Sequence, residues 1–128
     1  MADKISIVVV SGDRERLQMA AMVASVGAVS GDHVSVFLSM NSLQHFRKGA
    51  AEPASEGAFG KLLEQKKAPP FKQLFQSAVE LGDAKVHPCS MAVDVLGVQP
   101  GDLEPWLGEP MGLTKFLSSA SGGQVWTF

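Results

Sequence analysis

The sequence predicts a three-layer α/β domain built on a mostly parallel sheet. Runs rich in β-branched residues alternate with stretches of helical apolar spacing. The first run, Lys4 to Val10, is nearly continuous, the pattern of a strand covered on both faces. The spacing from Ile5 to Leu38 leaves room for one helical crossover between two parallel strands.

After that first strand, Ser11-Gly12-Asp13 forms a turn, with Asp13 placed to cap a helix beginning at Arg14. Leu17, Ala20, Ala21, Ala24 and Ala28 make one stripe of mostly small side chains that lets this helix sit close to a sheet. Its other side carries Met19, Met22, Val23 and Val26, and no charge follows Arg16. A helix apolar nearly all round needs a second cover, either a neighbouring helix or a second subunit, with the subunit preferred.

Gly31-Asp32 turns the chain into a second strand, His33 to Leu38, and Ser39 to Lys48 starts a short helix through Leu43 and Phe46. From Gly49 to Gly60 the composition loses periodicity and reads as a loop or lid, followed by a charged, frayed helix over Lys61–Lys67. Pro70 opens the next helix, whose stripe is Phe71, Leu74, Phe75 and Ala78, with Gly82 as its C-terminal cap. Ala84 to His87 reads as a third strand. Ser90 can cap the helix that follows it, with Asp94 about one turn in. Beyond Pro100-Gly101-Asp102, Leu103–Leu107 suggests a helical turn, with Trp106 as a packing anchor. A helix over Met111–Ala120 points Leu113, Phe116 and Leu117 inward, and Gln124–Phe128 is a last strand.

Composition narrows the function. The chain has 128 residues, enough for one domain (1–128) with its own core. A formal charge of −2 leaves no basic footprint for nucleic acid. The longest uncharged run, Leu17–Gly31, falls short of the ~20 apolar residues that span a bilayer, and no signal-peptide core precedes it. A soluble, cytoplasmic protein is expected. The single cysteine, Cys89, excludes an internal disulfide and suits a reducing compartment. His33, His45, His87 and Cys89 share no ligand spacing beyond His-x-Cys, which cannot close a metal site, so no metal is expected. The Gly-x-Gly-x-x-Gly cradle and the Gly-x-Ser-x-Gly elbow are both missing, so no nucleotide cofactor or hydrolase triad is expected.

Cys89 is the main candidate for chemistry. A thiol between a strand end and a helix start faces amides and a dipole that favour thiolate. The bland alternative is a buried cysteine acting as a small hydrophobe. His87, two residues earlier, can point to the same side and assist, while Ser90 and Asp94 follow in the helix start. Asp94 would oppose a thiolate slightly. Ser11, Gly12 and Asp13 also follow a strand, so they belong to the same sheet edge, where α/β folds gather ligands.

The order of elements, with Cys89-x4-Asp94-x2-Gly97 after the third strand, resembles the DsrE/DsrF-like family of small sulfur-relay proteins. It is most like the DsrE-like branch often labelled "peroxiredoxin family". Ile5–Asp13, Gly31–Leu38, Leu81–Val98 and Gly108–Phe128 carry the likeness, whereas Gly49–Pro70 does not fit it. His87-Pro88 departs from the small or apolar residues expected before the cysteine. The resemblance implies a flavodoxin-like sheet of about five strands. It also implies trimers or hexamers of this chain and a cysteine that carries persulfide sulfur between donor and acceptor proteins. Peroxidase activity is not expected: no Thr or Ser lies between Asp83 and Cys89, and there is no resolving thiol.

Overall fold

The computed structural model describes residues 3–54 and 57–128. Its core is a sheet with the order β3-β2-β1-β4, in which every pairing is parallel. The strands are β1 (Lys4–Val9), β2 (His33–Leu38), β3 (Lys85–Pro88) and β4 (Gln124–Thr127). The sheet thus has four strands among the described residues rather than about five. Register runs Ile5 to Val34, Ile7 to Val36 and Val9 to Leu38, and β4 enters beside β1 with Val125 opposite Ser6.

Five α-helices connect and flank the strands: α1 (Arg14–Val29), α2 (Gly57–Gln65), α3 (Phe71–Gly82), α4 (Ser90–Leu96) and α5 (Leu113–Ser119). Short 3-10 helices cover Met40–Phe46 and Pro100–Asp102. Two successive steps in one direction, β1 to β2 to β3, put α1 and α3 on the same face by the right-handed crossover rule. The return to β4 places α5 on the other face, where Phe116 stacks on Phe37 of β2 with ring centroids 5.0 Å apart.

The small stripe of α1 does what its sequence implies. Leu17, Ala20, Ala21 and Ala24 are fully buried, and a Cβ at Gly27 would lie only 3.1 Å from Val34 and 3.3 Å from Ile5. A neighbouring helix, α3, packs along α1. It leaves Met19, Met22 and Val26 exposed. Gly82 has a different role from the one its position suggested. The left-handed cap of α3 is Asp83 (φ +59°), whereas a Cβ on Gly82 would come within 2.4 Å of Ala28 Cβ. Gly82 therefore lets α3 approach α1 closely at Ala28. Pro70 precedes α3 as its N-cap, and its ring holds the extended backbone there.

Other local expectations shift as well. The segment read as a loop up to Gly60 enters α2 already at Gly57, with Gly60 its one buried residue and Phe59 and Leu62 largely exposed. Leu103–Leu107 forms a turn, with Leu107 N–H donating to Glu104 O, and the helical turn comes earlier at Pro100–Asp102. Trp106 does anchor, edge-on to Phe46 at 6.1 Å. In α5 only Phe116 is buried. Leu113 and Leu117 are about half exposed, because a helix this short meets β2 along a single line.

Candidate functional site

Parallel pairing throughout brings every strand's carboxyl end to one edge of the sheet. Ser11-Gly12-Asp13 follows β1, Ser39 follows β2 and Cys89 follows β3, so all three lie on that edge. They do not form one cluster. β2 and the Met40–Phe46 helix stand between the two outer groups, and among the described residues no hydrogen bond links them.

At the β3 end, Cys89 occupies the N-cap position of α4, with extended backbone and no side-chain cap hydrogen bond. Ser90 is therefore the first helical residue and not the cap. The Cys89 N–H donates to Leu38 O at 2.8 Å, and its carbonyl accepts from Val93 at 2.9 Å. Cys89 also forms a parallel bridge with Met111, around which Ser90 N–H donates to Met111 O and Met111 N–H to Pro88 O. The thiol is buried, with the residue 5% exposed. One of the amides that would favour a thiolate, that of Ser90, already has a carbonyl partner. His87 is held by its Nδ1 at 2.9 Å from Glu109 O and packs against Gly108, where a Cβ would sit 2.8 Å away. Asp94 is exposed on α4, and Gly97 closes that helix in the left-handed conformation at φ +69°.

At the β1 end, Asp13 caps α1 by accepting from Arg16 N–H at 3.2 Å, and Ser11 Oγ accepts from Asp13 N–H at 2.9 Å. Gly12 is needed for a close approach: a Cβ there would lie 2.4 Å from Asn41 Nδ2 and 3.0 Å from His45 Nε2. Burial lowers the pKa of His45 below 6.5, the nearby Lys72 charge lowers it further, and a hydrogen bond with the Ala51 backbone partly offsets both. Arg14 reaches out of the same turn to two carboxylates, Glu52 at 2.5 Å and Glu64 at 2.9 Å. This ties α2 to the start of α1.

Asn41, His45 and Arg14 were not legible as site residues. They meet Gly12 or α2 only through contacts between segments far apart in sequence. Among the described residues no group of three His, Cys, Asp or Glu side chains is placed to hold a metal ion. No helix there is long and apolar enough to cross a membrane.

The DsrE/DsrF/DrsH-like family model matches residues 52–128. The match contains Cys89 and also residues 52–70, which sequence reasoning had set aside. The first two strands lie outside it. The fold is shared with the YchN protein from E. coli, at a TM-score of 0.70 and 16% identity over 100% of both chains. It is also shared with MTH1491, a protein of unknown function from Methanobacterium thermoautotrophicum. There the TM-score is 0.65 and the identity 10%, over 98% of this chain and 99% of that one. No curated protein matches the chain significantly.

Proposed function

From the premise that this chain belongs to the DsrE/DsrF/DrsH-like family, we propose that it is a sulfur-relay protein carrying persulfide sulfur on Cys89. One observation carries the reading: the only cysteine lies inside the family match and at the carboxyl end of a parallel strand. The Cys89 thiolate attacks the outer sulfur of a donor persulfide, the donor S–S bond breaks, and the donor thiolate leaves. An acceptor thiolate then takes the sulfur by the same exchange, so no net oxidant is consumed. His87 and Ser90 neighbour Cys89 in the chain, and Asp94 lies within the helix that Cys89 caps. Ser11, Gly12 and Asp13 provide the further part of the edge that a partner or ligand meets.

The burial of Cys89 shapes this chemistry. A partner reaches the sulfur only if the residues around it open locally. The chain acts as one cytoplasmic domain in a trimer or hexamer. The exposed Val26 and Val29 toward the end of α1 support that assembly. Incubating the full chain with glutathione persulfide and weighing it intact tests the reading. Wild type gains one sulfur atom and Cys89→Ser gains none. A wild-type chain that stays unmodified sinks it.

The 5% exposure also favours a second reading, a binding or assembly module of the same fold in which Cys89 only packs. Full biological activity in Cys89→Ser would decide for that one.

A further inference from the structure

A large cleft lies away from Cys89, at the other end of the carboxyl edge. Its volume is about 1090 Å³, the scale of a small-molecule pocket. Met19 and Met22 of α1, Phe59 and Leu63 of α2, Leu74 of α3 and Phe128 give it an apolar lining. Asp13, Glu15 and Arg16 give one side a charged border. The strand order reverses direction at β1, with β2 on one side and β4 on the other. A crevice outside the strand ends at such a reversal is the general ligand position of open α/β sheets.

A second observation concerns Gln18, which lines the same cleft and is 9% exposed. Its Nε2 donates to Pro69 O at 2.9 Å, and that bond settles which end of the amide is nitrogen. Among the described residues no donor reaches its Oε1. A buried acceptor left open in an apolar cleft is costly unless something supplies a proton.

The geometry points to a binding site for a small, mainly aromatic or alicyclic molecule that carries one hydroxyl or N–H donor for Gln18 Oε1. The apolar lining takes the body of the molecule. α2 is held to α1 by the ion pair of Arg14 with Glu64. Only Gly60 of α2 is buried, so this helix can adjust to an occupant without disturbing the core. A partner helix or a second copy would also meet the methionines and Phe59, but neither accounts for a lone acceptor at the buried side.

Titration of the full chain with the fluorescent probe anilinonaphthalene sulfonate tests the site. Saturable binding at one probe per chain is expected, weakened at least tenfold by Leu63→Asp and unchanged by Leu117→Asp on the opposite face. Displacement of the probe by 2-naphthol and by 2-methylnaphthalene then tests Gln18. Gln18→Met lowers the preference for the naphthol by about tenfold, the order expected for one hydrogen bond to a buried acceptor. Three results overturn the proposal: equal probe binding by Leu63→Asp and wild type, a naphthol preference that survives Gln18→Met, or a Leu63→Asp effect that comes with dissociation of an oligomer.

Discussion

At the β3–α4 junction the backbone around Cys89 is pinned from two directions, by Leu38 O on β2 and by the pairing with Met111. At the β1–α1 junction the turn is held by its own side chains, Ser11 and Asp13, and borders a cleft walled by a helix with one buried residue. The two junctions have the same place in the topology, at the end of a parallel strand and the start of a helix. Position on the carboxyl edge therefore does not by itself make a group accessible. What the later chain lays over each junction decides that.

The strongest way to break this contrast is to loosen the cover over the β3 end. Phe116 is 1% exposed and holds α5 against Phe37. Phe116→Ala is expected to cost roughly 3–5 kcal/mol, the usual range for truncating a buried phenylalanine. The labelling rate of Cys89 by an aromatic disulfide should rise by about tenfold or more as the Gly112–Ser119 region opens locally. Denaturant melts and thiol-labelling kinetics on the same variant check both. Unchanged labelling in a destabilised variant would mean that α5 does not guard the thiol.

A smaller effect is expected at the β1 end, where the cover is ionic. The Arg14 side chain is 12% exposed, while Glu52 and Glu64 are 35% and 52% exposed, so solvent screens both pairs. Arg14→Leu should lower global stability by only about 0.5–1 kcal/mol. It should speed tryptic cleavage after Lys61 and Lys66 several-fold, because α2 loses its tether. High salt should reproduce part of that effect in wild type.

The smallest effect is the pH response of His45, beside Gly12. Its folded pKa lies below 6.5, so the unfolded chain takes up the proton first. The contribution is fully present above about pH 6.5 and is lost as pH falls through the folded value. Thermal melts between about pH 7.5 and pH 5 should show a stability loss that His45→Gln reduces. Identical slopes in the two proteins would mean that His45 is not desolvated.

Much of the fold was legible because one-dimensional patterns report which side of an element is covered. The small-residue stripe of α1 marked a helix lying close to a sheet, and β-branched runs marked β1 and β2. Glycines were harder to interpret. Gly82 looked like a helix terminator from its place after an apolar stripe, yet it is required by Ala28, a residue on another helix. Leu113 and Leu117 fit an inward stripe by spacing, but α5 is too short to bury more than Phe116.

The sequence by itself determined the order of strands and helices, the parallel crossover, and the place of Cys89 between a strand and a helix. Those features rest on local periodicity and on the residues next to each turn. Only the tertiary structure decided that Met111 would pair with Cys89 and that Asn41 and His45 would crowd Gly12. It also decided that Gln18 would line a cleft while its Nε2 donates to Pro69 O. Each of those outcomes is a contact between segments far apart in the chain. Local spacing encodes the side on which a residue is covered but not the residue that covers it.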